Sequence, residues 1–115
     1  MFTVRWVKEA EEKYEELKKA AKDSQRARKE RNIKKSSQAE GLFKQVAKTI
    51  NFLRKNPRHT GLQTHEYSSI DNPYDKNAKV FEAYAQNRTP GAYRAFWCYG
   101  PNKKEITIIA ITPHP

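Results

Sequence analysis

The chain has 115 residues, of which 37% are hydrophobic and 31% are charged. This length suffices for one domain with a modest core, so we expect residues 1–115 to form a single domain. No apolar run approaches the roughly 20 residues of a membrane span, and the amino terminus becomes acidic too early for a signal peptide. These features predict a cytosolic (cytoplasmic) protein without a membrane partner.

Cysteine and histidine usage argues against a disulfide and against a metal site. A single cysteine excludes an internal disulfide. The irregular spacing of the cysteine and the three histidines matches no zinc pattern, so we expect no metal and no other cofactor. The residues considered as zinc ligands are His59, His65, Cys98 and His114. We interpret Cys98 as a packing residue.

The formal net charge of +10 indicates an anionic partner, and the position of the charge along the chain indicates which kind of partner. Segment 22–35 carries seven Lys or Arg against two Asp or Glu, and segment 36–60 carries five against one, whereas residues 1–20 are balanced. A basic surface of this kind suits nucleic acid, because each neutralised phosphate releases counterions. A solvated helix face or an acidic protein partner would produce the same pattern.

The amino-terminal half of the chain predicts one strand and two helices. Alternation over residues 2–6 indicates a strand, and glutamates in the next turn, followed by an apolar stripe, indicate a helix. That stripe consists of Ala10, Tyr14, Leu17 and Ala21. Segment 22–35 is either an exposed extension of this helix or a basic connector. Residues 37–40 have the form of a capping box and start a second helix that stops at residues 56–57. The stripe of the second helix is Phe43, Val46, Ile50 and Leu53.

The carboxy-terminal half predicts strands. Residues 58–77 are irregular apart from a brief extended piece within 62–67, and residues 79–86 alternate as a strand. A turn at 87–91 leads to an aromatic strand over 93–99, and a second turn at 100–102 leads to the β-branched strand 106–112. The order β-α-α-β-β-β predicts an α+β fold, with an antiparallel helical hairpin on one face of the sheet and the opposite face open.

The open face carries unusual residues. Alternation places Arg94 with Phe96 and Cys98 on one face of its strand, where it is the single charged residue. On the neighbouring strand, Glu82 and Tyr84 share a face. His114, flanked by prolines, follows the last strand.

The order of elements, the Tyr-Arg pair at 93–94 and the terminal histidine together resemble the RelE/ParE superfamily of bacterial type II toxins, and within it the RelE- and YoeB-like mRNA interferases. Segment 61–66 is similar to the loop that carries the YoeB-like glutamate, here Glu66. Arg94 resembles the family's phosphate-binding arginine, and His114 the terminal catalytic histidine. The chain departs from the family in a longer helical hairpin, an insertion at 71–79, and no counterpart of the paired lysines of RelE.

Metal-independent RNA cleavage needs a base for the 2′-hydroxyl, a cation for the phosphate and an acid for the leaving 5′-oxygen. Glu66, Arg94 and His114 have suitable chemistry for these three roles, and His65 or Glu82 are alternative bases. Each residue also has an ordinary explanation. Glu66 would pair with a surface lysine, Arg94 would brace Glu82, and His114 would be a frayed terminus.

Three function classes remain from the sequence. The resemblance implies a toxin that cleaves mRNA on the ribosome and is neutralised by a cognate antitoxin; a ParE-like gyrase inhibitor and a noncatalytic RNA-binding module are the alternatives. The candidate RNA-binding residues besides the catalytic three are Arg88, Tyr84, Glu82, Arg26, Arg28 and Arg31. The basic segment 22–35 is expected to contact ribosomal RNA.

Overall fold

A computed structural model describes residues 1–86 and 90–114 of the chain. The described part forms two helices, α1 (Lys8–Glu30) and α2 (Gln38–Lys55), and a short 3-10 turn, Thr60–Leu62. Its five strands are β1 (Thr3–Trp6), β2 (His65–Glu66), β3 (Phe81–Tyr84), β4 (Tyr93–Tyr99) and β5 (Glu105–Pro113). The predicted order β-α-α-β-β-β is confirmed, with β2 as an additional short strand. The predicted turn at 87–91 lies largely outside the described residues.

The strands form one sheet in the order β1-β5-β4-β3-β2. β1 pairs with β5 in parallel, and the other pairs are antiparallel. Thus β4 and β5 form the predicted central hairpin, joined by the predicted turn at Gly100, whose φ of +108° suits a residue without Cβ. The strand expected over 79–86 is shorter than predicted, because regular pairing with β4 covers only Phe81–Tyr84.

The hydrophobic core lies between the sheet and the helical hairpin. Both predicted helical stripes contribute to it, through Leu17 of α1 and Leu53 of α2 among others. From the sheet, Ala95 and Trp97 enter the same core. At roughly 25 cal/mol per Å² of apolar surface removed from water, burial of these side chains is the main force holding the two layers together.

The predicted open face of the sheet is only partly open, which corrects that prediction. Residues before and within the predicted insertion at 71–79 fold back over it. Tyr67 lies with its ring centroid 4.6 Å from that of Phe96, and Tyr74 Oη is 2.8 Å from Thr107 Oγ1. Cys98 is fully buried beneath this cover, which confirms its packing role, and burial raises the pKa of its thiol to about 11. The thiol is therefore unreactive at neutral pH.

The first part of the basic segment 22–35 is a helical extension, because α1 continues to Glu30. Arg28 joins the two helices at the tip of the hairpin: its Nη2 donates to Glu40 Oε1 at 2.8 Å, and its Nη1 donates to the carbonyls of Ile33 and Lys34. Glu40 also completes the predicted capping box with Ser37 at the start of α2. The tip is thus a defined structure rather than a loose basic connector.

Acid should weaken this tip. The Arg28 guanidinium, together with the Ser37 backbone N–H, lowers the pKa of Glu40 to about 2. A carboxylate with a depressed pKa stabilises the folded state above its unfolded pKa, near 4.5, and loses that contribution as pH falls towards 2. We expect the stability difference between the wild type and Glu40→Gln to be full at pH 7 and to vanish near pH 2, measured by urea unfolding. A difference that does not change with pH would contradict this.

Gly41 lies in the first turns of α2, and a Cβ built there would meet no atom within 4 Å. Glycine lowers helix stability relative to alanine by about 0.5–1 kcal/mol. Gly41→Ala is therefore expected to raise the free energy of unfolding by about that amount. Gly100→Ala is the matched control, since its positive φ predicts destabilisation. An unchanged or lower unfolding midpoint for Gly41→Ala would show that α2 needs the glycine.

Candidate functional site

Arg94 is held on the sheet face opposite the helices. It stands opposite Tyr84 of β3, and Glu82 lies two residues along the same strand and on the same face. Arg94 Nη1 donates to Glu82 Oε2, and the exposed fractions of the two residues are 9% and 2%. The guanidinium also lies over the rings of Phe96 and Tyr67, with its carbon 4.7 and 5.6 Å from their centroids. Such aromatic contacts stabilise a partly desolvated cation.

His65 extends this pair into a row of three charged or polar groups. Its Nε2 is 2.6 Å from Glu82 Oε1, and its Nδ1 is 3.1 Å from the carbonyl oxygen of Gln63. Each ring nitrogen of His65 thus lies within hydrogen-bond distance of an oxygen, one from the Glu82 carboxylate and one from the Gln63 backbone. Glu82 is therefore bonded through both carboxylate oxygens, to His65 on one side and to Arg94 on the other.

Arg94 retains an unused donor. Its Nε is buried and has no hydrogen-bond partner among the described residues. A buried N–H without an acceptor costs free energy, on the order of 1–3 kcal/mol. An anion that reached this edge of the guanidinium would supply the missing acceptor.

His114 lies on the same face of the sheet as Arg94. Arg94 stands opposite Thr112 of β5, and the backbone of His114 continues the ladder: its N–H donates to the carbonyl of Ala92 at 2.7 Å, and its carbonyl accepts from Gly91. With a period of two residues, Thr112 and His114 share the face of Arg94. The terminus is therefore tethered by sheet hydrogen bonds at His114, contrary to the frayed alternative.

Glu66 is not joined to this group. In β2, His65 stands opposite Glu82, whereas Glu66 stands opposite Phe81, whose side chain enters the core on the helix side. Successive strand residues point to opposite faces, so His65 and Glu66 point apart. Glu66 pairs instead with Lys79 at 2.8 Å, and 61% of its side chain is exposed. The structure therefore contains both contacts that the ordinary explanations predicted, Glu66 with a surface lysine and Arg94 with Glu82.

The remaining predicted residues divide into three groups. Tyr84 is buried beside the cluster, with its ring centroid 5.9 Å from that of His65. Arg26 and Arg31 are exposed near the end of α1, whereas Arg28 is committed to Glu40 and the hairpin tip. Arg88 lies outside the described residues.

Tyr67 is the site residue that the sequence reasoning missed. Its ring packs at a tilt of 49° against that of Phe96 and lies under the Arg94 guanidinium. Its position two residues after His65 was the available signal, because residues i and i+2 of an extended segment share a face. The sequence predicted a brief extended piece within 62–67, but its alternation was not used to assign residues to a face.

Within residues 1–86 and 90–114, no three His, Cys, Asp or Glu side chains are grouped as metal ligands. Neither described helix has an apolar stretch long enough to cross a membrane.

No protein-family model matches the chain, and no curated protein matches it. Among solved structures, the chain is similar to a YoeB/ParE toxin from Agrobacterium tumefaciens. The TM-score is 0.58 at 9% identity, and the alignment covers 98% of this chain and 99% of that one. At this identity the similarity concerns the fold, and the fold that the resemblance implied is confirmed over nearly the whole chain.

Proposed function

We propose that the protein is the toxin of a type II toxin–antitoxin system and that it inhibits translation by cleaving mRNA on the ribosome, in the cytoplasm. The observation that supports this function best is the common face of Arg94, His65 and His114. A buried guanidinium with an unused N–H, on the same sheet face as two histidines, suits a phosphodiester flanked by a proton acceptor and a proton donor.

The proposed reaction is attack of the 2′-hydroxyl oxygen on the adjacent phosphorus. The new O2′–P bond forms as the P–O5′ bond breaks, which leaves a 2′,3′-cyclic phosphate and a 5′-hydroxyl. One proton leaves the 2′-oxygen and one reaches the 5′-oxygen, so the reaction consumes no cofactor. Arg94 would hold the extra negative charge of the pentacovalent phosphorus, and His114 would protonate the 5′-oxygen.

The geometry favours His65 over Glu66 as the base. His65 faces Glu82 on the Arg94 side, and 38% of its side chain is exposed. Glu82 is buried and bonded through both oxygens, so it orients His65 rather than meeting the substrate itself. The proposal requires His65 to exchange one of its two ring contacts for the 2′-hydroxyl when RNA binds.

A second candidate is inhibition of gyrase without RNA cleavage, as in ParE-like toxins. One specific observation favours it: each of the three candidate bases, Glu66, Glu82 and His65, already has an ion-pair or hydrogen-bond partner within the chain. The noncatalytic RNA-binding alternative shares this support.

One experiment separates the candidates. The purified protein is added to ribosomes translating a defined mRNA, and the 5′ ends of the mRNA are mapped; in parallel, gyrase supercoiling of a relaxed plasmid is measured. We expect new mRNA ends with wild-type protein, far fewer with His114→Ala, and normal supercoiling with both. Intact mRNA together with blocked supercoiling would replace the first candidate with the second.

The antitoxin is proposed to cover the Arg94 face. An acidic residue of the partner is not required at Arg94, because Glu82 already supplies a carboxylate within the chain. The partner therefore needs only to block access to His65 and His114. Co-expression of the true antitoxin should relieve growth arrest caused by the protein alone.

The exposed arginines near the hairpin tip, Arg26 and Arg31, are proposed to contact ribosomal RNA. Arg28 is left out of this proposal, because it is bound to Glu40 and its reversal to glutamate would open the tip. Reversing Arg26 and Arg31 alone keeps the tip contacts and removes two exposed cations.

A further inference from the structure

A second basic surface lies at the end of the molecule opposite the hairpin tip. It is formed by the carboxy-terminal end of α2 with the residues that follow it, and by the turn between β4 and β5. Segments 51–62 and 99–104 together contain five Lys or Arg and no Asp or Glu. The five cations are all exposed: Arg54, Lys55, Arg58, Lys103 and Lys104. We refer to them as the α2-end surface.

Contacts between the two segments make this one continuous surface. Phe2 connects them: its N–H donates to the carbonyl of Arg54 at 2.7 Å, and Lys104 Nζ lies 5.2 Å from its ring centroid. The ring of Phe2 lies 6.1 Å from that of Tyr99, between centroids. Arg58 reaches the same row of rings through Phe81, which Tyr99 also contacts.

Tyr99 gives this surface a flat aromatic group. Its exposed fraction is 39%, the highest of any residue in β4, although it belongs to a strand whose other aromatic rings are mostly covered. Trp97 and Phe81 contact it edge-on, with interplanar angles of 78° and 81°. The ring is thus fixed in orientation by the core while part of it faces solvent.

The helix end explains only part of this charge. Cations in the last turn of a helix complement its dipole, which accounts for Arg54 and Lys55 of α2. Lys103 and Lys104 belong to a β-turn, and Arg58 follows the helix, so the helix dipole does not explain these three cations. No acidic side chain from these two segments neutralises the cluster, and the nearest acid in sequence, Glu105, is bound by Arg5 at 2.7 Å.

We propose that the α2-end surface binds single-stranded RNA, with a base stacked on Tyr99 and the adjoining phosphates held by the lysines and arginines around it. Positive charge that follows a sugar–phosphate backbone, combined with an exposed aromatic ring, is the arrangement that binds single strands without sequence preference. The surface lies about five strand residues, or roughly 16 Å, from Arg94 along β4. It is separate from both the proposed cleavage site and the hairpin tip.

That the bound polyanion is RNA rests on the proposed function. RNA binding is therefore measured separately from RNA cleavage, so that each can fail on its own. The probe is a fluorescent 12-nucleotide RNA with 2′-O-methyl groups, which removes the attacking hydroxyl. Lys55→Glu with Lys103→Glu is the test variant. Lys8→Glu with Lys76→Glu is the matched control, because it makes the same change in net charge at exposed positions elsewhere.

We expect the test variant to bind at least ~10-fold more weakly than the control, and the slope of log affinity against log salt to fall by about 1.4, for two phosphates at roughly 0.7 each. Tyr99→Leu should keep an apolar side chain against Phe2 and yet weaken binding about fivefold or more, through lost stacking. It should leave binding of an abasic oligomer of equal length unchanged.

Equal weakening by the test and control variants would show that only net charge matters and would overturn the proposal. If Tyr99→Leu binds the normal oligomer with wild-type affinity, the proposed stacking of a base on Tyr99 is wrong. Binding of the uncleavable RNA by a protein that cleaves nothing would leave this surface supported while removing the proposed ribonuclease function.

Discussion

Replacing Arg94 with alanine is expected to lower single-turnover cleavage of mRNA on programmed ribosomes by about 100-fold or more, while ribosome binding changes far less. The guanidinium would act most strongly on the pentacovalent phosphorus, which carries more negative charge than the ground state. Arg94→Lys should recover only part of the rate, because lysine keeps the charge for Glu82 but loses the planar fork.

Stability must be separated from chemistry in this experiment, because Arg94→Ala leaves Glu82 buried and without its cation. Breaking a buried pair from one side costs on the order of 3–5 kcal/mol. The double variant Arg94→Ala with Glu82→Gln removes the unpaired charge and should regain much of the thermal stability without regaining cleavage. Recovery of cleavage in the double variant would mean that Arg94 serves only to neutralise Glu82, and the phosphate-binding role would be lost.

The fold was largely predictable because its signals are local. The capping box at Ser37 and the stop at Asn56 set the bounds of α2, and the helical stripes identified its core face. In β4, strict alternation placed Arg94 on the face away from the helices before any contact was known. The resemblance then agreed with an order of elements that the patterns had already given.

The candidate site was only partly predictable, because it depends on which residues stand opposite one another. Sequence alternation cannot tell whether His65 or Glu66 faces Arg94; that is decided by the register of a two-residue strand against β3. The cover over the sheet was missed for a related reason. Tyr67 and Tyr74 pack through long-range contacts with Phe96 and Thr107, and Tyr74 lies in no helix or strand whose periodicity could have predicted its contact.

The adjacent residues His65 and Glu66 provide a matched pair for identifying the base. Both are changed to glutamine, which keeps hydrogen-bonding groups and removes the proton acceptor. We expect His65→Gln to lower the single-turnover rate by about 100-fold or more, in the range typical of general-base removal, because His65 shares the face of Arg94. The single-turnover rate of Glu66→Gln should stay within about twofold of the wild-type rate, since the Glu66 side chain is exposed and paired with Lys79. A change of about twofold is far smaller than the loss expected on removal of a general base.

The two variants also separate catalysis from folding. His65→Gln can still donate to Glu82, so circular dichroism and the unfolding midpoint should remain near wild type while the rate falls. A merely structural role for His65 would instead lower the midpoint together with the rate. If instead Glu66→Gln loses the cleavage rate and His65→Gln keeps it, Glu66 would be the base. Strand β2 would then have to change its register when RNA binds. Full rates for both variants would remove side-chain base catalysis from this face, and with it the main chemical argument for a ribonuclease over a gyrase inhibitor on the same fold.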